Sequence, residues 1–307
     1  MKRPAKIRHV AVLYGGFSKE REISLVSGNA AARALEAKGL TVTKIDVMRD
    51  VGALANAITA AAPDVAFNAL HGRFGEDGCI QGLLDMMAVP YTHSGQLASA
   101  MAMDKPTAKR TFAAAGVPVA EEKIVTVAEA ERGDVMDRPY VLKPFNEGSS
   151  VGVKIVQAGS NRPPLDDLGL GPDDLIMAER FIPGREVTVA VMGDKALAVT
   201  EITTARGFYD YEAKYAAGGS KHVLPAQLPK HLYDEAMELS LTAHRALGCR
   251  GVSRADLRLD GEDFFMLEVN TQPGLTPTSL VPEQAAYIGM SFEDLVFWMV
   301  EHAQCDA

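Results

Sequence analysis

The chain has 307 residues, with 31 Lys+Arg against 40 Asp+Glu and a formal net charge of −9. That length holds roughly two domains or three small ones, and 47% hydrophobic with 23% charged residues is the balance of an ordinary globular protein, which excludes a disordered chain. The acidic balance also excludes a protein that coats nucleic acid or membrane, because both need a basic footprint.

At the start of the chain, basic Lys2, Arg3, Lys6 and Arg8 precede an apolar run over 10–14 that Gly15-Gly16 cuts short. The run falls below the ~7–15 residues of a signal-peptide core, and no stretch approaches the ~20 apolar residues of a membrane helix. The spacing predicts a buried strand over 9–13, a glycine-rich turn, an alanine-rich helix over 23–38 and a strand over 41–47. A second round follows, with a helix over 53–61 and a strand over 64–70, then a polar loop at 71–78, a helix over 80–87 and a short strand near 90–91. Repeated βαβ units imply a parallel sheet covered by helices on both faces.

The pattern changes after about residue 94. A helix over 106–115 stops at Gly116, and strands at 140–143 and 152–156 flank a Gly/Ser-rich loop at 146–150. Segment 158–174, rich in Gly, Pro and Asp, reads as loop. Residues 186–192 and 196–200 read as a hairpin around Gly193-Asp194. The stretch 204–220 has neither helical nor strand period, and loops that long are often functional lids. A helix over 232–247, two strands and a terminal helix over 292–301 complete the chain. Cys79, Cys249 and Cys305 are odd in number, far apart and without a CxxC, which fits a reducing compartment rather than a disulfide framework or zinc site. A soluble, cytoplasmic protein is the expectation.

Chemistry concentrates in 253–270. Arg254, Asp256 and Arg258 alternate on one strand, Glu268 and Asn270 on the next, and the turn at 260–263 joins them. A three-residue loop over 261–263 sets Asp256 opposite Glu268 and Arg254 opposite Asn270. Facing carboxylates are destabilising in a sheet, so two carboxylates and an amide oxygen call for a hard cation such as Mg²⁺ shared with phosphate; the alternative is a polar hairpin face left in water. Lys143, at a strand end before the 146–152 loop, suits phosphate binding, since glycine N–H groups and serine hydroxyls can wrap phosphate oxygens. No P-loop pattern is present. The turn Gly15-Gly16-Phe17-Ser18-Lys19-Glu20 does not match the dinucleotide pattern GxGxxG, although Asp46 could serve a ribose in an NAD reading. Glu20 can hold an ammonium group or simply favour the helix dipole. His71 follows the carboxyl end of a strand, where α/β sheets place their ligands. Lys105, before a proline-started helix, reads equally well as a surface lysine.

In this order the residues resemble the D-alanine–D-alanine ligase family of the ATP-grasp superfamily. The matching stretches are Tyr14-Gly-Gly-Phe-Ser-Lys-Glu-Arg-Glu-Ile-Ser, Leu70-His-Gly-Arg-Phe-Gly-Glu-Asp-Gly, Met103-Asp-Lys, Val141-Leu-Lys-Pro with Glu147-Gly-Ser-Ser-Val-Gly, Phe208-Tyr-Asp-Tyr-Glu-Ala-Lys-Tyr, Arg254-Ala-Asp, and Leu267-Glu-Val-Asn-Thr-Gln-Pro-Gly with Thr278-Ser-Leu. The resemblance implies an α/β fold, with an N-terminal Rossmann-like parallel-sheet domain (1–94) followed by a two-domain ATP-grasp fold (95–183 and 184–307). It implies ligation of two D-alanines through a D-alanyl phosphate, at the expense of ATP and for peptidoglycan precursor synthesis. Expected small molecules are ATP, D-alanine and Mg²⁺ or Mn²⁺, two ions; the expected assembly is a homodimer, with no nucleic acid and no membrane.

The resemblance further implies residue roles. Lys105, Lys143, Gly148, Ser150, Val151 and Lys214 hold phosphates, and Glu179 and Glu186 face adenine and ribose. Asp256, Glu268 and Asn270 hold metal. Arg254 and the Gly274 N–H stabilise the transferring phosphoryl and the oxyanion. Glu20 anchors the first ammonium with His71 nearby, linked through Ser149 to Tyr215 on the lid. Ser279 and Leu280 bind the second carboxylate. Tyr215, where ligases making D-alanyl-D-lactate tend to carry Phe, favours the dipeptide. Two departures stand out: Asn146, where a basic residue is frequent, and Gln272, where Ser is common and no effect on chemistry is expected. Arg254→Ala is expected to cut turnover by orders of magnitude and leave folding nearly intact. Competing readings are another ATP-grasp carboxylate–amine ligase, an NAD(P)-dependent dehydrogenase and a non-catalytic nucleotide-binding regulator.

Overall fold

The structure, a computed structural model, describes residues 7–144, 152–159, 161, 163–203, 219–276 and 278–306. Strands β1 (His9–Gly15), β2 (Thr41–Val47) and β3 (Val65–Asn68) form a parallel sheet in the order β2-β1-β3. The apolar run of β1 is buried on both sides, as parallel strands covered by helices require. Val10 and Val12 pack with Ala31 and Leu35 of helix α1 (Arg21–Ala37), while Ala11 and Leu13 pack with Leu54 and Ile58 of α2 (Val51–Ala61) and Leu84 of α3 (Cys79–Met86). The first face is completed from the far end of the chain: Leu295, Val296, Met299 and Val300 of the C-terminal helix join the same cluster. The expected strand near 90–91 is reduced to isolated bridges at Tyr91, parallel to Ala66 and antiparallel to Gln304.

Helix α4 (Gln96–Met103), unmarked in the sequence pattern, leads into α5 (Lys105–Ala114). Asp104 starts α5 by accepting a hydrogen bond from the Thr107 N–H at 2.9 Å, and Pro106 sits in the first turn, where its missing N–H costs nothing. Lys105 and Lys109 are thereby one turn apart on the same side of α5.

The central sheet contains β4 (Glu122–Thr126), β5 (Tyr140–Lys143), β6 (Lys154–Val156) and β7 (Leu175–Arg180), antiparallel in the order β4-β7-β5-β6. Thr126 and Glu129 form a reciprocal capping box that starts α6 (Val127–Arg132). The expected loop 158–174 contains one short 3-10 turn, Asp166–Leu168. Leu142, Val156, Ile176 and Ala178 build the core beneath α6, and the alternation of the strands turns Lys143 and Glu179 to the opposite face.

The third sheet is antiparallel, in the order β10-β9-β8-β11-β12, from β8 (Arg185–Met192), β9 (Lys195–Thr203), β10 (Lys221–Val223), β11 (Val252–Asp260) and β12 (Asp263–Asn270). Val187, Val189, Ala255, Leu257 and Leu259 pack under Ala236 and Ala243 of α7 (Lys230–Ala246) and Phe112 of α5. Thr188, Arg254, Asp256 and Arg258 alternate onto the other face. Helices α8 (Leu280–Tyr287) and α9 (Phe292–Glu301) follow.

The β11–β12 hairpin reaches its expected register by a different route. Asp260 pairs with Asp263, so the turn is the two-residue Gly261-Glu262 rather than a three-residue loop. Leu257 pairs with Met266 and Asp256 with Glu268, which leaves Leu267 as an extra residue in a bulge. The bulge changes the phase of β12. Phe264 and Met266 face the core before it, and Val269 faces the core after it, so Glu268 and Asn270 emerge on the side of Asp256. Without the extra residue, a strict two-residue alternation would carry Glu268 and Asn270 into the apolar core with Phe264 and Met266.

Candidate active site

On the polar face of the third sheet, Asp256 is the centre of a small network. Arg254 donates to it from Nε (2.8 Å) and Nη2 (2.7 Å), Thr188 Oγ1 donates at 2.7 Å, and Asn270 Nδ2 donates at 3.1 Å. The two-point Arg254–Asp256 contact aligns the guanidinium in its own strand, the geometry in which arginine–carboxylate pairs are strongest. Two residues beyond Asp256 on the same strand, Arg258 binds Glu186 of β8 at 3.1 Å and the backbone oxygens of Ile182 and Gly184. Gln284 on α8 donates to the Thr188 carbonyl at 3.1 Å and accepts from the Ala190 N–H at 2.8 Å, tying the helix that follows Ser279 to the strand that supports Asp256.

Helix α5 connects this face to the central sheet. Lys105 Nζ lies 3.0 Å from Glu268 Oε2. One turn on, Lys109 Nζ contacts Glu179 Oε1 at 2.5 Å, Glu122 at 3.0 Å and the Ala120 carbonyl at 2.7 Å, while Lys143 Nζ contacts Glu179 Oε2 at 2.6 Å. Lys109 is 1% exposed and Glu179 3%. Burial alone would raise the Glu179 carboxyl; the two lysines outweigh it and hold it below the usual range. Both oxygens of Glu179 are thus engaged, and what the residue does here is hold Lys143 at the end of β5. Lys109 was not marked by the sequence, because a lone lysine one turn into a helix carries no signal of burial.

The third component comes from the N-terminal sheet. Ser18 Oγ donates to the His71 carbonyl at 2.7 Å and accepts from the Glu20 N–H at 3.1 Å, so the turn after β1 and the loop after β3 are docked together. Gly72, at φ +70°, lies against Glu20: a Cβ there would stand 2.8 Å from Glu20 Oε2. The His71 ring contacts Ser27 Oγ at 3.2 Å, and burial lowers its pKa to about 4, which keeps the imidazole neutral. Glu76, in the same motif but without an assigned role, is raised by burial and then by repulsion from Glu20, and it also feels Glu268 and Lys105. Glu76 therefore stands where the N-terminal pocket meets the hairpin, beside Lys105, Glu268 and Asn270 in one cleft.

Ser279 opens α8 and its Oγ contacts Thr276 Oγ1 at 2.7 Å; it is also the nearest side chain to Gly274, 3.2 Å from where a Cβ would sit. Leu280 is buried against Ile202. Gly148, Ser149, Ser150, Val151, Lys214 and Tyr215, as well as the 204–218 part of the expected lid, lie outside the described residues. Asp46, needed by a dehydrogenase reading, is bound through both oxygens to Arg21 at 2.8 and 2.7 Å, which leaves no carboxylate for a ribose.

The donor chemistry fits a divalent cation. Asp256 and Glu268 are directly paired, Asn270 reaches Asp256 through its nitrogen and keeps its oxygen as an acceptor, and all three are oxygen donors of the kind hard cations take. In the structure, the carboxylates are balanced by Arg254 and Lys105, so an incoming cation would share or take over these contacts.

An N-terminal parallel sheet, two antiparallel sheets with polar inner faces, and lysines directed to those faces define an ATP-grasp ligase. The chain belongs to the D-alanine–D-alanine ligase family: residues 48–94 match the family's N-terminal model, D-ala D-ala ligase N-terminus, and residues 111–301 the model D-ala D-ala ligase C-terminus. It is 61% identical over 302 residues to the D-alanine–D-alanine ligase of Rhodospirillum rubrum, covering 98% of this chain and 99% of that one. It is 58% identical to that of Paramagnetospirillum magneticum, covering 97% and 99%. Among solved structures, the D-alanine–D-alanine ligase of Bacillus anthracis complexed with ATP superposes with a TM-score of 0.79 at 27% identity, covering 96% and 97%. The VanG D-Ala:D-Ser ligase of Enterococcus faecalis gives a TM-score of 0.79 at 27% identity, covering 96% and 99%.

Proposed function

We propose that this protein joins two D-alanines to D-alanyl-D-alanine with conversion of ATP to ADP and phosphate, for peptidoglycan precursor synthesis. The observation that carries the reading is the convergence at Glu268. The hairpin bulge brings Glu268 to Asp256, α5 brings Lys105 to Glu268, and the loop after β3 brings Glu76 beside both.

The residues divide the reaction as follows. Glu20 receives the ammonium of the first D-alanine, beside a neutral His71 that adds no positive charge to compete with it. A carboxylate oxygen of that D-alanine attacks the γ-phosphorus, the bond to the bridging oxygen breaks and ADP leaves. Lys105, Lys143 and Lys214, with Gly148, Ser150 and Val151, hold the phosphates, and Glu186 faces the ribose. Phosphoryl transfer is mainly positioning and charge neutralisation. Asp256, Glu268 and Asn270 would hold Mg²⁺ or Mn²⁺, two ions in all, which would supply further charge neutralisation beside the lysines. The second D-alanine, held through its carboxylate near Ser279 and Leu280, attacks the acyl carbonyl with its amine and loses a proton. Arg254 and the Gly274 N–H stabilise the tetrahedral oxyanion, phosphate leaves, and the peptide bond remains. Glu20, Ser149 and Tyr215 form the linked group that closes the pocket against water, which would hydrolyse the acyl phosphate. The same reading takes 1–94, 95–183 and 184–307 as the three domains, a homodimer as the assembly and the cytoplasm as the compartment.

The test is ADP release with D-alanine, L-alanine or D-alanine plus D-lactate, with and without Mg²⁺. D-Alanine-dependent, Mg²⁺-dependent release with D-alanyl-D-alanine as product is the expected result; release indifferent to D-alanine overturns the proposal. Tyr215→Phe should raise D-lactate use relative to D-alanine, and an unchanged ratio removes Tyr215 from acceptor choice.

A further inference from the structure

Gln272 and Asn68 are brought together from opposite ends of the chain in a buried, two-way contact. Asn68 ends β3 and is 0% exposed; Gln272, two residues beyond Asn270 and two before Gly274, is 3% exposed. Asn68 Nδ2 donates to Gln272 Oε1 at 3.2 Å, and Gln272 Nε2 donates back to the Asn68 carbonyl. The same Asn68 amide donates to the Gly75 carbonyl at 2.8 Å and accepts from the Leu70 N–H at 3.2 Å, so it also shapes the loop that carries His71 and Glu76. Gln81 on α3 adds a bond to Gly75 at 3.0 Å. The contact is thus continuous from the loop of the amino-acid pocket to the strand end between Asn270 and Gly274.

From this geometry we propose that the Asn68–Gln272 amide pair is a positioning device that sets the pocket for the first amino acid against the phosphoryl-transfer face. The inference rests on the ligase reading above and adds two residues to it. In-line transfer needs the substrate carboxylate, placed from the N-terminal side, to meet a γ-phosphate placed from the hairpin side. Reacting atoms must be held to within a fraction of an ångström, and a displacement of about 1 Å can cost on the order of 100-fold. Apolar packing resists separation but not sliding, whereas one amide bonded both to the side chain and to the backbone carbonyl of its partner residue fixes distance and orientation together. A serine at 272 would be too short to make the same contact with Asn68, so the departure at this position is a matter of how the two regions are joined.

The experiment is steady-state kinetics on the full chain with Gln272→Met, which keeps length and removes both bonds, with Asn68→Leu, and with the double variant, alongside thermal unfolding. Each single variant should lower kcat/KM for D-alanine about 10-fold or more while the KM for ATP stays within about twofold. The losses in the double should combine to clearly less than their product, because both single variants remove the same Asn68 Nδ2–Gln272 Oε1 bond, while Asn68→Leu leaves the backbone carbonyl of residue 68 for Gln272 and Gln272→Met leaves Asn68 its bonds to Gly75 and Leu70. Asn68→Leu also leaves the Leu70 N–H without its acceptor and can unfold; Gln272→Met, which leaves Asn68 its bonds to Gly75 and Leu70, then supplies the kinetic comparison. Three results overturn the inference: D-alanine kinetics within twofold of the parent, a KM for ATP that rises in step with that for D-alanine, or losses that multiply in the double. An inactive parent chain would instead reject the ligase reading itself.

Discussion

On the polar face of the central sheet, one carboxylate, Glu179, is held by two lysines; on the polar face of the third sheet, one carboxylate, Asp256, is held by an arginine, a threonine and an amide. In the first, Glu122 also contacts Lys109, so two lysines stand against two carboxylates. The second keeps further oxygen donors, Glu268 and Asn270, suited to a cation. The two clusters also differ in what a deletion leaves behind. Removing Glu179 takes from Lys143 and Lys109 the carboxylate they share and leaves Lys109, 1% exposed, with Glu122 and the Ala120 carbonyl, whereas removing Arg254 leaves Asp256 with two hydrogen bonds from neutral groups. Charge in the central sheet is therefore first a matter of stability, and in the third sheet first a matter of chemistry.

The largest effect that would break this contrast is Glu179→Ala. Removing one partner of a buried ion pair costs about 3–5 kcal/mol, so chemical denaturation should show a loss of that size; a loss under about 1 kcal/mol would mean that Lys109 and Lys143 find other partners. Arg254→Ala should lower ADP release by roughly 100-fold or more, as loss of an oxyanion donor does. It should also reduce stability measurably, because Asp256 loses its two-point ion pair. That differs from the expectation of nearly intact folding, and thermal unfolding of the variant decides between the two. Turnover near that of the parent would remove Arg254 from the reaction.

Gly72→Ala tests the N-terminal pocket. At φ +70° the added Cβ is strained and stands 2.8 Å from Glu20 Oε2, so kcat/KM for D-alanine should fall about 10-fold or more, with displacement of the carboxylate as the cause; unchanged kinetics would place the ammonium site elsewhere. The smallest effect is in pH dependence. His244 is buried beneath the third sheet, its Nδ1 2.7 Å from Ser253 Oγ, and burial lowers its pKa from 6.5 to about 4. Between those values the unfolded chain binds more protons than the folded one. The stability this group contributes is therefore full above pH 6.5 and lost as pH falls toward 4, by at most about 1.4 kcal/mol per pH unit. His244→Gln should flatten that part of a stability–pH curve, and an unchanged slope would reject the assignment.

The TM-score of 0.79 is shared by a ligase named for D-alanine and one named for D-serine. The fold alone therefore does not choose the acceptor. An acceptor series of D-alanine, D-serine and D-lactate decides it.

Much was determined by the sequence itself. The apolar runs and glycine stops of the first hundred residues specify a parallel sheet, because strands buried on both faces must be continuously apolar. Alternation in β11 specifies the Arg254–Asp256 face, because successive side chains point to opposite sides. Strands β4 and β7 and helices α4, α6 and α8 escaped this reading, since short elements with mixed polarity carry little periodicity. The side of the sheet taken by Glu268 and Asn270 was settled by one extra residue at Leu267, and the burial of Lys109 by a carboxylate 70 residues away. Neither has a local signature. The Gln272–Asn68 contact spans 204 residues, and the cover of the N-terminal sheet by α9 comes from the other end of the chain. Local pattern encodes which face of an element is apolar; only packing in three dimensions decides which distant residue meets it.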